Sequence, residues 1–286
     1  VKIEMHDFGT VNPLSRKLKI LILGNGTSTA TTQESSEVTF TFNGKGSFME
    51  PISSIDVWMS RDSFGEYRLK LSGTQNKVLW TSVEDQLNQS LELQMAILGC
   101  LPSTGYALVH GLWQCVDNVV IDGVGFNPSL ARPTCLPPRK PQPQAFHNWL
   151  GERRTTFQRW LAEPRTSWSW SLFQGIRGIN RETGSNFVTH IEVLEAFKAA
   201  SRSGSFSELK DVAQSPVLPA VELLHETKRI RDLEQQFHLC RLRSDTPNWW
   251  LYDTDVSVIV ERIAENLRSA QEQAFVQHVS QRVRVG

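Results

Sequence analysis

Pro102-Ser103-Thr104-Gly105 stands directly before a stretch with helical apolar spacing. Two hydroxyls and a glycine at a helix start gather side-chain donors and unpaired backbone N–H groups in the positive end of the helix dipole, an arrangement that holds a phosphate. The same residues also make an ordinary N-cap. A second candidate is Leu23-Gly24-Asn25-Gly26-Thr27-Ser28, because glycines at a strand end let backbone approach a ligand at the carboxyl edge of a sheet. It is not a dinucleotide fingerprint: Thr29 stands where a third glycine is required, and Glu50 follows a glycine-bearing loop instead of ending a second strand. A plain strand-to-helix turn explains it equally.

His147 follows a proline-rich segment, at a point where a helix should begin, and Glu152 lies five residues on. On a continuous helix the two would be roughly 140° apart, so they are not a same-face pair. If His147 precedes the helix, its imidazole can face a cleft as a general base. The alternative is a structural histidine, with Glu152 an acid in a first helical turn. Between Arg132 and Arg165, the bases Arg132, Arg139, Lys140, Arg153, Arg154, Arg159 and Arg165 outnumber the acids Glu152 and Glu163. Such a cluster suits a doubly anionic small molecule or lipid headgroups, or is a solvated face. Trp168 and Trp170 are spaced to stack on a sugar ring or to pack half-buried. Asp253-Thr254-Asp255 has the form of the metal-binding acid pair of many nucleotide-sugar transferases, but its place just before a helical run favours capping. The zinc-protease HExxH, the hydrolase GxSxG and the P-loop are absent.

The elements that must position these residues alternate in the first half of the chain. Strands are expected at 18–23, 38–42, 55–59, 77–80 and 119–121, and helices at 85–99 and from about 105 to 115. Short strands interleaved with helices predict an α/β fold with a mostly parallel sheet flanked by helices. Pro128, Pro133, Pro137, Pro138, Pro141 and Pro143 then mark a stiff extended connection. Beyond it the pattern is helical, over 146–162, 188–200, 220–242 and 256–283, so the C-terminal half is expected to be helix-rich. The expected division is an α/β core over 1–144 and a helical part over 145–286 that completes the site.

Composition narrows the function classes. Hydrophobic residues make up 40% and charged residues 21% of the 286 positions, enough for a substantial core and too apolar for disorder. Lys+Arg and Asp+Glu balance at 30 each, so no chain-wide field attracts nucleic acid or an anionic bilayer. Cys100, Cys115, Cys135 and Cys240 form no CxxC pair, so neither a disulfide scaffold nor structural zinc is expected. No apolar run approaches the ~20 residues that span a bilayer, and the chain begins at Val1 without an initiator methionine. The sequons at Asn25 and Asn88 do not decide a compartment.

In order along the chain, these pieces resemble the sialyltransferases of glycosyltransferase family 29. Pro102–Gly105, the helix to Cys115, the strand at 119–121 and Gly123-Val124-Gly125 resemble the family's small sialylmotif. His147 with Glu152 resembles its very small motif, HxxxxE, and Leu21–Ser28 the start of its large motif, with Asn43 at the place of a later asparagine. The likeness spans about residues 18 to 153, with gaps. It implies a GT-A-like Rossmannoid fold and metal-independent, inverting transfer of sialic acid, or a related acidic sugar such as Kdo, from a CMP donor to a glycan hydroxyl. It further implies that Asn25 and Asn43 contact CMP, that Ser103, Thr104 and Gly105 cradle it, that Gly123 or Gly125 lets the backbone close on the nucleotide, and that His147 is the base, with Glu152 beside it. The implied partners are a CMP-sugar and an oligosaccharide, glycolipid or glycoprotein acceptor, with no cofactor, no metal and no nucleic acid.

The chain also departs from the family. A histidine expected between the small and very small motifs is missing from 127–145, where Arg132 is the candidate for that positive charge. The cysteine that animal members pair with the small motif has no counterpart in Lys19–Leu23. A microbial member, cytoplasmic or peripheral on a membrane, fits these departures; a Golgi-lumen enzyme that has lost its anchor is the other location. A non-catalytic glycan- or nucleotide-binding relative is the competing function, and a metal-dependent transferase using Asp253 and Asp255 the third.

Overall fold

The computed structural model describes residues 18–24, 36–42, 54–73, 77–126, 147–174, 187–203, 207–225, 230–231, 234 and 254–285, with backbone alone at 77–82, 201, 207–208, 254–257 and 282–285. Strands β1 (Lys19–Leu23), β2 (Val38–Phe42), β3 (Ser54–Arg61), β4 (Tyr67–Gly73), β5 (Asn118–Asp122) and β6 (Ser169–Trp170) make one sheet ordered β4-β3-β2-β1-β5-β6. Every pairing is parallel except the β3–β4 hairpin. By register Ile20, Ile22, Phe40, Val57 and Ile121 share one face of the sheet, each at most 1% exposed, while the opposite face carries Leu21, Thr39 and Thr41, which are also buried. Strands closed on both faces in this way belong to a covered, mostly parallel sheet.

From β1 the chain steps outward through β2 and β3, turns back at β4, and returns to lay β5 along the other side of β1, with Leu23 opposite Asp122. The strand order therefore reverses between β1 and β5. In open α/β sheets, the crevice beyond the carboxyl ends at such a reversal is where ligands bind.

Two helices make the return. In α1 (Lys77–Leu98), Val83, Leu87, Leu91 and Leu98 form a buried stripe, and α2 (Thr104–Leu112) is buried from Tyr106 to Leu112. The strand expected at 77–80 is instead the first turn of α1, because a four-residue apolar run does not distinguish period two from the 3.6-residue period that continues behind it. Strand β4 escaped that reading although Tyr67, Leu69 and Leu71 alternate. Its turn rests on Asp62, whose Oδ1 accepts from the Phe64 and Glu66 amides at 2.9 Å each. Asn88 of α1 secures β4 by accepting from the Leu69 N–H at 2.7 Å and donating to the Leu69 carbonyl at 3.1 Å, so this sequon asparagine is buried and engaged.

Beyond residue 146 lie α3 (Trp149–Ala162), the short α4 (Ser171–Gln174), α5 (His190–Ser203), α6 (Ser207–Gln214), a 3₁₀ turn (Val221–Leu224) and α7 (Thr254–Val285). The C-terminal half is helix-rich as expected, yet it supplies β6 to the sheet, and the core runs from Ile20 through Phe157 to Phe275. Of the helix expected over 220–242, the described residues show a 3₁₀ turn at its start and helical positions at Ile230, Arg231 and Glu234. Helix α6 and the two-residue β6 are too short to register as periodic patterns.

The β1–β5 junction depends on a close backbone approach. The Gly24 amide donates to the Asp122 carbonyl at 2.7 Å. A Cβ on Gly24 would lie inside the Gly123 carbonyl and 2.7 Å from the Val124 Cγ2. Gly24→Ala is expected to cost at least about 3 kcal/mol in urea unfolding. Gly65→Ala, in open space at a φ of 83°, should cost only about 1 kcal/mol. Equal shifts in midpoint would mean that the junction has room to spare.

Candidate functional site

Helices α2 and α3 run side by side in the same direction, joined by side-chain bonds at a constant offset of 49 residues. Ser103 meets Glu152, Tyr106 meets Thr155, His110 meets Arg159, and Gln114 meets Glu163. Partners advance together by three or four residues on both helices, which is the spacing of one helix face and occurs only if the two are parallel. Both N-termini therefore point the same way. Gly105 fixes which way: a Cβ there would touch Val124 at 3.4 Å and Phe42 at 3.9 Å, residues at the carboxyl ends of β5 and β2. Two positive helix ends thus converge beside the crevice where the strand order reverses.

The first rung carries the strongest interaction. Glu152 is 1% exposed. Its Oε1 accepts the Ser103 amide at 2.6 Å, and its Oε2 accepts the Ser103 hydroxyl at 2.8 Å. That hydroxyl also caps α2 by accepting from the Tyr106 amide at 3.2 Å. Burial pushes the Glu152 carboxyl up to about 7, against the lowering effect of the two Ser103 donors. The expectation that Ser103 cradles a ligand is therefore corrected: both of its donors are turned inward onto Glu152. Thr104 and Gly105 are half-exposed, and their amides, at the first two helical positions, have no intrahelical acceptor. Unpaired amides at a helix start are groups able to receive an anion.

The next rungs join a tyrosine to a threonine and a histidine to an arginine. The Thr155 hydroxyl donates to the Gly151 carbonyl at 2.8 Å and so accepts from the Tyr106 hydroxyl at 2.7 Å. Arg159 reaches the His110 carbonyl at 3.0 Å and Nδ1 at 3.2 Å, which leaves the His110 Nε2–H to donate to Thr156 at 2.9 Å. Burial first, and the Arg159 charge second, hold the His110 imidazole well below its ordinary value. It is a structural, neutral histidine.

His147 lies ahead of α3, half-buried, with its carbonyl accepting from the Trp149 amide at 2.9 Å. The helical angle to Glu152 therefore does not apply to it. Asn148 is the N-cap: its Oδ1 accepts from the Gly151 amide at 3.0 Å while its Nδ2 donates to Glu234 at 3.0 Å. Only about 6 Å of helical rise separates Asn148 from Glu152, so the bond to Ser103 carries the His147 segment to the mouth of α2.

The turn after β5 is held mainly by its carbonyls. Trp170 Nε1 donates to the Val124 carbonyl at 2.7 Å and Arg153 Nη1 to the Gly125 carbonyl at 2.6 Å. Gly123 has a φ of 68° and Phe126 a φ of 48°, both left-handed. Gly123 serves this bend and the contact with Gly24. Trp168 and Trp170 are buried, with indole N–H groups on the Val116 and Val124 carbonyls, so they are not a sugar platform.

The basic cluster is an internal network at the residues described. Arg153 pairs with Glu272 at 2.5 Å and Arg154 with Glu234 at 3.2 Å, both arginines fully buried. Arg165 pairs with Glu163 at 2.8 Å. The partners of Arg153 and Arg154 are not legible in the sequence because they lie 119 and 80 residues away. Cys115 is a buried free thiol, pushed up to about 11 by burial. Asn25, Asn43, Arg132, Arg139, Lys140, Cys135, Cys240 and Asp253 lie outside the described residues.

No family model, no curated protein and no solved structure matches the chain. Among the described residues, no helix is long and apolar enough to cross a membrane, and no group of three or more His, Cys, Asp or Glu side chains is placed to hold a metal ion.

The raised Glu152 value has a stability consequence. Its folded form binds a proton more tightly than its unfolded form, so the contribution is complete below pH 4.5 and is lost as pH rises through about 7. Urea titrations across that window should show wild type losing about 3 kcal/mol relative to Glu152→Gln. Parallel pH profiles would mean that the carboxyl is not perturbed.

Proposed function

We propose that the chain is an inverting glycosyltransferase of the sialyltransferase type, with a GT-A-like arrangement of its sheet. It moves sialic acid or a related acidic sugar such as Kdo from a CMP donor to a glycan hydroxyl. One observation carries the reading: the two segments whose residues resemble the small and very small motifs meet directly, through the Ser103–Glu152 bonds of 2.6 and 2.8 Å. Nothing in local sequence requires residues 49 apart to touch in this way.

The chemistry then follows from the mouth of α2. The Thr104 and Gly105 amides and the Thr104 hydroxyl receive the donor phosphate in the positive field of the helix end. The acceptor oxygen attacks the anomeric carbon from the opposite face while the bond to the CMP phosphate breaks. His147 takes the hydroxyl proton, and CMP leaves as a stabilised anion. Glu152 is a positioning residue here, because its oxygens are occupied by Ser103. The nucleotide's other contacts are assigned to Asn25, Asn43 and the backbone around Gly125, following the family pattern, and to Arg132 as the positive charge where the family has a histidine.

A nucleotide-binding relative without transferase activity is the second reading, favoured by the inward commitment of Ser103. Incubation with CMP-sialic acid and several glycan acceptors separates the two. Transfer releases CMP; binding alone protects the fold in a thermal-shift assay without release.

For the transferase, His147→Ala should lower turnover by roughly a hundredfold or more while CMP affinity holds. Thr104→Val, which keeps shape and removes the hydroxyl, should weaken CMP by roughly tenfold. CMP affinity unchanged by Thr104→Val, or turnover unchanged by His147→Ala, would refute the corresponding assignment.

A further inference from the structure

We infer that Arg153 is a positioning residue for the nucleotide site, acting through the turn from Gly123 to Phe126; the inference rests on the reading of α2's mouth as that site. Arg153 follows Glu152 in the chain but serves a different face of α3. Its guanidinium, fully buried, joins the Gly125 carbonyl at 2.6 Å to Glu272 of α7 at 2.5 Å, and lies over the Phe157 ring at 5.3 Å. Burial brings it down to about 10, partly offset by Glu272, so it stays charged at neutral pH.

The turn needs such a hold. Phe126 occupies the left-handed region at a φ of 48°, a strained position for a non-glycine residue that persists only where the surroundings enforce it. Its ring is wedged edge-on against Tyr106 at 5.6 Å and Trp170 at 5.8 Å. From this turn the Val124 side chain roofs α2's first helical residues, at 3.4 Å from where a Gly105 Cβ would sit. The carbonyls of Val124 and Gly125 are drawn away to Trp170 and Arg153. Releasing Arg153 therefore lets the turn relax over the proposed phosphate site.

A purely structural role would not require the charge. Well-packed apolar side chains in place of a buried ion pair are often neutral or stabilising, so a buried guanidinium on a backbone carbonyl points to geometry. The link continues outward: Glu272 also accepts from Arg268 at 3.1 Å, and Arg268 from there meets Glu265 at 2.7 Å near the surface of α7. The long C-terminal helix thus reaches the strand-end turn through one side chain.

Three variants test this. Arg153→Lys keeps the charge but not the fork; Glu272→Gln is a mild change at a half-buried position; Arg153→Met with Glu272→Leu replaces the pair by apolar packing. CMP affinity is measured by calorimetry, and the Gly105 and Gly125 amides by NMR. Folded variants with near wild-type melting should bind CMP roughly tenfold more weakly. The Gly105 amide, which touches neither Arg153 nor Glu272, should shift. CMP affinity equal to wild type in the folded variants overturns the inference. If wild type itself binds no nucleotide, the proposed function fails, and the Gly105 amide alone decides: a shift in Glu272→Gln retains Arg153 as the setter of α2's mouth, and an unmoved amide removes it. Should Arg153→Lys fail to fold, Glu272→Gln carries both readouts.

Discussion

A buried carboxylate that accepts two donors from one serine organises this protein. Taking Glu152 out of water disfavours its charged form, and the Ser103 amide and hydroxyl compensate only in one geometry. That geometry fixes where α3 begins relative to α2. Because the helices are parallel, one fixed rung sets the register of the others, down to Gln114 and Glu163 at the far end.

Around that rung, α3 is tied on its other faces by buried charge. Arg153 reaches Glu272 of α7, and Arg154 shares Glu234 with the Asn148 cap. Gln271 donates to the Leu150 carbonyl at 3.1 Å, and Phe275 stacks on Phe157 at 4.8 Å. Each ion is costly to bury and tolerates little displacement from its partner, so the helix is located more sharply than apolar packing alone would place it. The consequence reaches the sheet through Gly125, whose carbonyl belongs to the same network. Fold and candidate site are thus held by the same bonds, and Glu152, Arg153 and Arg154, which look like surface charge in the sequence, are interior.

Much of the framework was legible beforehand. The runs at 18–23, 38–42 and 55–59 are strands because continuous or alternating apolar residues can be buried only in a covered sheet. The stripe of Leu87, Leu91 and Leu98 announces α1, and the serine before a helical run announces the cap of α2. Misreadings arose where local pattern is degenerate. Lys77–Trp80 has too few residues to show a period. Trp168 and Trp170 take the packing role of their two alternatives, pinned by carbonyls nearly fifty residues earlier that no spacing rule can reveal. Ser103 caps a helix as its position implies, but its donors go to Glu152 and not to a ligand, since nothing local tells which acceptor a hydroxyl will find.

The sequence by itself determined the alternation of strands and helices, the helical C-terminal half and the short motifs, because these follow from side-chain periodicity and backbone capping within a few residues. Only the tertiary structure decided that Ser103 faces Glu152, that two helix N-termini converge where the strand order reverses, and that Arg153 and Arg154 are interior. Those facts depend on desolvation and on partners 49 to 119 residues apart. Their free energies exist only once the chain has brought such groups together out of water.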